Sequence, residues 1–250
     1  LESIRRFNPD IIYLQDELNT SLHQEVLNLK QELKCKVVSF FWENIFAPAP
    51  EIKSLLKEFD LLVCGNRNSV ILLKDYNLKY TILPQVGIDV NLFKPKLANK
   101  DINVLYIGRD TPEKGLALIK EAYKDVAIAS NLSYEKIPEM LNRAKIFVSF
   151  PYFNGVWAEQ SMGYTLAEAA ACELPIITSN CGAIYEYWNR CNGVIIIDQR
   201  DTYKLQESIK SLLQDEKTRT FFGKENRKFV QDNFSNEVVA KKLIKIFQGL

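Results

Sequence analysis

Residues 149–180, SFPYFNGVWAEQSMGYTLAEAAACELPIITSN, decide how the rest of the chain is read. Short apolar runs at 146–149 and 175–178 are bounded by Pro and Gly. They are too short for buried helices and read as strands. Between them lie a Gly-containing loop and a short Ala-rich helix around 166–172. A loop that leaves a strand and opens a helix aims backbone N–H groups and the positive end of the helix dipole outward, a setting suited to phosphate. Glu159 stands in the loop and Glu168 in the helix. A carboxylate can accept from two hydroxyls at once, which suits a sugar or ribose diol. Phosphate donors between two diol-accepting acids are the components of a nucleotide-sugar site.

Working outward, the runs 11–14, 36–41, 60–64 and 80–83 read as strands. Residues 21–33, 66–74 and the segment opened by Pro50 read as helices. Residues 1–7 read as the end of a helix stopped by Asn8-Pro9. In the helix 21–33, Ser21 with Gln24 spells a capping box, and Leu22, Val26, Leu29 and Leu33 stripe one face. After the irregular segment PQVGIDVNLFKPKL (84–97), a strand at 102–107 leads into GRDTPEKG (108–115). A helix carrying Leu116, Ile119 and Tyr123 inward follows, then a short strand at 126–129 and a helix opened by Pro138. Past residue 180 come a short helix at 184–188 and a strand at 194–197. The tail reads as two amphipathic helices, striped by Leu205, Ile209, Leu212 and Leu213 and by Val239, Leu243, Ile246 and Phe247. Alternating strands and helices predict an α/β fold with parallel sheets covered on both faces. The first unit is expected to end near Leu97, with the boundary between 91 and 100.

Composition excludes several classes. With 32 basic against 31 acidic residues, charge alone offers nothing for bulk binding to nucleic acid or membranes. No apolar run approaches the roughly 20 residues that span a bilayer. A chain that opens on Leu1, with no signal peptide, reads as processed or as a piece of a longer one. The five cysteines include no C-x-x-C pair, and each sits in or beside an apolar run, as reduced buried thiols do. His23 is the only histidine, so a His-rich metal site is excluded. It follows Leu22, taken as core-facing, and is expected on the surface. There is no G-x-G for a dinucleotide fold and no G-x-x-x-x-G-K-[ST] for a P-loop. The acids do not cluster at metal-ligand spacing.

PQVGIDVNLFKP (84–95), GRDTPEKG (108–115), WAEQSMGYTLAEAAACELPIITSNCGAI (157–184) and NFSNEVVAKKL (233–243) together resemble the retaining GT-B glycosyltransferases of family 4, also called group 1. The resemblance runs from about Pro9 to the end. It implies an α/β, GT-B type architecture of two Rossmann-like parallel-sheet domains, the N-terminal one truncated. Residues 1–95 would be the partial acceptor-side domain and 96–234 the donor domain, with 235–250 a final helix returning to the first. By the same resemblance Arg109 and Lys114 clamp the donor diphosphate, and Glu168 holds the ribose hydroxyls. Gly163, Tyr164 and Thr165 present backbone amides to the phosphates, and Asn131, beside Ser130, lies near the base.

The first acid of the motif falls on Glu159 in the WAEQ form, nine residues before Glu168. The family's usual spacing of eight points to Gln160, which a one-residue insertion at Ser161 or Met162 would reconcile. Glu159 is favoured because a carboxylate is the better acceptor for sugar hydroxyls. Two departures stand out: Tyr13 and Gln15, in YLQDE (13–17), occupy positions where the family often has a histidine. After Tyr123 the chain passes directly to DVAIAS, without the family's additional strand, glycine turn and helix.

The implied activity is transfer of a hexose from a nucleotide-diphosphate sugar to an acceptor hydroxyl with retained anomeric configuration. It needs no metal, and no cofactor beyond the donor. Arg109, Lys114 and Glu159 carry the chemistry, and Glu168, Gln160, Gly163, Tyr164, Thr165 and Asn131 bind substrate. The partners expected are the donor and a sugar, lipid-linked or small-molecule acceptor, with no nucleic acid. The location expected is cytoplasmic, peripheral at the inner membrane face where the acceptor is lipid-linked. Alternatives are a GT-B nucleotide-sugar epimerase and a non-catalytic nucleotide-sugar-binding fragment.

Overall fold

The computed structural model describes residues 1–15, 20–74 and 77–250. The chain divides into two units, Leu1–Gln85 with Ala240–Leu250, and Val86–Val239.

The first unit runs α1 (Glu2–Phe7), β1 (Ile11–Leu14), α2 (Thr20–Leu33), β2 (Lys36–Phe41), α3 (Pro50–Leu56), β3 (Leu61–Cys64), α4 (Arg67–Leu73) and β4 (Tyr80–Ile82). Asn8 takes a left-handed conformation (φ 51°) and returns its N–H to the Ile4 carbonyl, which ends α1 before Pro9. The four strands pair in parallel in the order β1-β2-β3-β4. Val37, Phe41, Leu62 and Cys64 meet Val26, Leu27, Ile52 and Leu56 in one apolar core. Asp60 pins the starts of two strands, accepting from the Val37 N–H at 2.9 Å and pairing with Lys30 at 3.1 Å. Phe247, in the C-terminal segment of this unit, lies edge-on to Tyr13 with ring centroids 5.5 Å apart.

Two expectations for α2 are corrected. His23 is fully buried, with Nε2 3.2 Å from the Ser39 hydroxyl and its ring against Phe59. The inward face is read through His23, Val26, Leu27 and Leu29, while Leu22 is only half-buried. An imidazole hydrogen-bonded within the core can sit where an unpaired one could not. Gln24 donates forward to Asn28 at 3.2 Å, and Ser21 lies within the helix, so no capping box forms between them.

The second unit runs β5 (Ile102–Ile107), α5 (Leu116–Ala122), β6 (Ala127–Ala129), α6 (Ile137–Arg143), β7 (Ala144–Ser149), α7 (Tyr164–Ala171), β8 (Ile176–Ser179), α8 (Ile184–Trp188), β9 (Val194–Ile197), α9 (Thr202–Gln214), α10 (Glu216–Asn233) and α11 (Asn236–Phe247), whose last residues belong to the first unit. Its five strands are parallel in the order β6-β5-β7-β8-β9. Both faces are covered. Leu105, Ile107 and Phe147 enter the core shared with α7 and α10, and Val104, Tyr106, Ile146 and Val148 the core shared with α5 and α9. This alternation, with both sets apolar, is why β5 and β7 read as unbroken hydrophobic runs.

The irregular segment ahead of β5 packs with this unit. Ile88 exchanges backbone hydrogen bonds with Phe234 (2.8 Å) and Asn236 (2.9 Å), and Phe93 is fully buried in the core. The tail holds three helices, and the one missed is α10. Its buried positions are Gly223, Asn226 and Val230, so an amide and a glycine interrupt the apolar stripe. No helix among the described residues is long and apolar enough to cross a membrane.

The strand order places β5 and β7 side by side, with β6 outside one and β8 outside the other. The connections from β5 and from β7 therefore leave in opposite directions. Parallel α/β sheets bind ligands in the crevice such a reversal opens at the carboxyl ends of the strands.

Candidate functional site

Both loops at this switch point are held by specific contacts. The buried Tyr106 donates its hydroxyl to the Arg109 carbonyl at 2.6 Å, bending the chain as it leaves β5. A short 3₁₀ turn, Pro112–Lys114, ends at Gly115 with φ +74°. A Cβ there would lie 1.9 Å from the Phe150 carbonyl oxygen, so only glycine allows this loop to rest on the exit of β7. The Tyr152 N–H donates to the Glu113 carbonyl at 3.0 Å and completes the junction.

That close approach brings together residues 45 apart in sequence. Lys114 Nζ donates to Glu159 Oε2 at 3.0 Å, and the two side chains are only 23% and 15% exposed. The same ammonium stands 4.3 Å from the centroid of the Trp157 ring. Ser161 donates to Glu159 Oε1 at 3.0 Å and accepts from the Gly163 N–H at 3.1 Å. Gly163, at φ +72°, is the N-cap of α7, whose first turn holds Tyr164 and Thr165. The N–H groups of that turn have no intrahelical acceptors. The β8–α8 loop supports Glu159 from below, its Ala183 N–H donating to the Glu159 carbonyl at 2.8 Å.

Glu168 is one turn further along α7, on the Tyr164 face. It is 6% exposed, and its Oε2 has no hydrogen-bond partner among the described residues. Burial pushes its carboxyl up to about 7. Its charge is felt by Tyr134, a half-exposed ring packed edge-on against Phe93. A buried carboxylate lacking a donor is costly unless something supplies one, and a vicinal diol supplies two.

The shift carries a sign. Below about pH 4.5 Glu168 is protonated whether the chain is folded or not. Between 4.5 and about 7 the unfolded chain ionises first, so stability falls as pH rises, and above about 7 the penalty is complete. Glu168→Gln is therefore expected to stabilise the chain by about 3 kcal/mol at pH 8 and by almost nothing at pH 4. Urea denaturation at the two pH values checks this, and a gain independent of pH would contradict it.

Of the residues singled out in the sequence, Lys114, Glu159 and Gly163 are joined by hydrogen bonds, with Tyr164 and Thr165 at the adjoining helix start. Gln160 is half-buried beside Glu159. Arg109 shares the loop of Lys114 but is exposed and makes no ion pair among the described residues. Asn131, also exposed, follows β6 in a left-handed conformation (φ 58°), at the same end of the sheet. Tyr13 lies in β1 and Gln15 just beyond it, whereas Asp16 and Glu17 of the same motif fall outside the described residues. Sequence reasoning gave no role to Trp157, Ser161 or Tyr106. The first two lie inside the quoted motif, where a serine two residues before a helix-capping glycine was a usable signal. Among the described residues no group of three or more His, Cys, Asp or Glu side chains gathers as a metal-ligand set.

The likeness to known proteins falls on these elements. CapM, a capsular polysaccharide biosynthesis glycosyltransferase of Staphylococcus aureus, is 21% identical over 99% of this chain and 67% of its own length. A GDP-mannose-dependent monoacylated α-(1-6)-phosphatidylinositol monomannoside mannosyltransferase of Corynebacterium glutamicum is 27% identical over 61% of this chain, which spans 40% of that protein. HepE of Anabaena, solved in complex with UDP, superimposes with a TM-score of 0.81 over the whole chain and 81% of its own, at 11% identity. That is a likeness of fold, and the fold is GT-B, two parallel-sheet α/β units. The family model described as glycosyl transferases group 1 matches residues 85–215, from the packed segment before β5 to the end of α9. This chain belongs to the group 1 glycosyltransferases, with the residues gathered at its β5–β7 switch point inside the matched region.

Proposed function

We propose that the chain transfers a hexose from a nucleoside-diphosphate sugar to a hydroxyl of a glycan or glycolipid acceptor, with retention of configuration and without a resident metal. The observation that carries the reading is the link from the Lys114 ammonium through Glu159 and Ser161 to the start of α7, with the partnerless Glu168 oxygen one turn beyond. A cation and helix-start amides suit a diphosphate, and a buried carboxylate one turn away suits a ribose. The relatives support the substrate class. HepE was solved with UDP and with UDP and glucose, and the corynebacterial protein is named for GDP-mannose. The names of CapM and of the corynebacterial protein point to a polysaccharide or glycolipid acceptor.

In the proposed reaction the acceptor oxygen bonds to the anomeric carbon on the face the diphosphate leaves. The bond from that carbon to the phosphate oxygen breaks, and its electron pair stays on the diphosphate. The leaving oxygen takes the acceptor proton, so no separate base is required. Lys114, with Arg109 on the same loop, and the α7 amides neutralise the charge as it develops. Two cations doing this work make a metal unnecessary. Glu159, near where the sugar joins the diphosphate, accepts from its hydroxyls. An epimerase would call for a histidine beside the sugar, and the single histidine is buried against Ser39 in the first unit.

The test is a panel of UDP-, GDP-, ADP- and dTDP-hexoses with sugar acceptors in the presence of a chelator, the product anomer being read by NMR. An α-donor is expected to give an α-linkage at an undiminished rate. An inverted product, or turnover that returns only with a divalent cation, contradicts the mechanism. In the same system Glu168→Gln should weaken a ribonucleotide more than inorganic pyrophosphate, and equal losses would remove the ribose assignment.

A further inference from the structure

The groups assigned above to the donor diphosphate already share an internal anion. Lys114 and Ser161 each donate to one oxygen of the Glu159 carboxylate, and the Gly163 N–H reaches the same network through the Ser161 hydroxyl. The Trp157 ring covers another side of the ammonium. The main chain of Glu159 is held in place. Its carbonyl accepts from the Ala183 N–H, and it abuts Gly182 (φ +58°) so closely that a Cβ there would lie 2.1 Å from the carbonyl oxygen. The side chain alone can yield to a ligand.

A phosphate brought to Lys114 would place two anions on one shielded cation. Their repulsion opposes binding unless the carboxylate receives other donors. A bare diphosphate has none to give, whereas a sugar attached to it has several hydroxyls.

We propose that Glu159 is a specificity-determining counter-anion, which opposes a bare diphosphate at Lys114 and is compensated by the hydroxyls of the donor sugar. The site then favours the intact nucleotide sugar over the nucleoside diphosphate left after transfer, and the spent product is expelled by the residue that welcomed the donor. This rests on the reading of Lys114 as a diphosphate ligand. A site that used Lys114 alone would favour the spent diphosphate, which carries the additional negative charge left when the sugar departs.

Calorimetric titration with inorganic pyrophosphate, at one pH and low ionic strength, tests it on the full chain. Glu159→Gln keeps the size of the side chain and an oxygen that can accept from Ser161, but removes the charge. Its affinity for pyrophosphate is expected to rise about tenfold over wild type, the scale of one charge-assisted hydrogen bond. Preference for UDP-glucose over UDP, or for GDP-mannose over GDP if guanine is the base bound, should fall by a similar factor. Unchanged or weaker pyrophosphate binding by a folded Glu159→Gln chain overturns the proposal. Should that variant unfold, the wild-type chain decides: it is expected to bind its nucleotide sugar about tenfold more tightly than the corresponding nucleoside diphosphate, and equal or tighter binding of the diphosphate overturns the proposal. Lys114→Ala separates the two ideas. Pyrophosphate affinity equal to wild type there, or no binding by any form, defeats the assignment of Lys114 to the diphosphate itself.

Discussion

Lys114→Ala is expected to lower turnover of a nucleotide sugar by about two to three orders of magnitude, or roughly 3–4 kcal/mol of transition-state stabilisation. The size follows from where the ammonium sits. Its side chain is only 23% exposed, between a carboxylate and an indole face, so its field is weakly screened. Charge on the diphosphate grows as the bond to the sugar breaks, so the cation stabilises the transition state more than the bound donor. Loss should therefore appear mainly in kcat. Arg109→Ala should cost less, because that guanidinium is exposed to solvent. Initial rates of sugar transfer or donor hydrolysis supply the check, with an intact unfolding transition as control. A Lys114→Ala rate within threefold of wild type would remove the residue from the chemistry.

Asn226→Leu should destabilise the chain by about 2–4 kcal/mol, a large share of the stability of an ordinary domain. Asn226 is fully buried in α10. Its amide donates to the Leu174 carbonyl at 2.7 Å and the Gly193 carbonyl at 2.9 Å, and its oxygen accepts from the Cys191 thiol at 3.0 Å. Leucine keeps the branching at Cγ but is larger, and it leaves two buried carbonyls and a thiol with no partner from this side chain. Those carbonyls mark the turn from α7 into β8 and the start of β9, so the two strands beyond the site lose a common anchor. Urea denaturation monitored by circular dichroism gives the free energy. A loss below 1 kcal/mol would mean the carbonyls find other donors at little cost.

Asn226 also illustrates what a linear reading misses. Most helices of this chain announce themselves by an apolar stripe, but α10 turns an asparagine and a glycine inward. Gly223 is needed because a Cβ would meet the Glu173 carbonyl oxygen at 2.1 Å, and Asn226 because carbonyls await it. His23 misled for a related reason: a polar side chain on the inward face is legible only once its partner, Ser39 of β2, is placed beside it. The segment before β5 looks like a linker by composition, yet Ile88 and Phe93 are core residues whose partners lie near position 234 and in the core shared with α7 and α10.

The sequence by itself determined the strands, most of the helices, the parallel character of both sheets and the residue types of the candidate site. These follow from period, turn residues and local spacing, which short segments carry within themselves. Only the tertiary structure decided that Lys114 meets Glu159, that Ser161 ties this pair to Gly163, and that Glu168 lacks a donor. Those facts depend on β5 pairing with β7, whose partner residues stand 42 apart along the chain, a contact that no local pattern encodes.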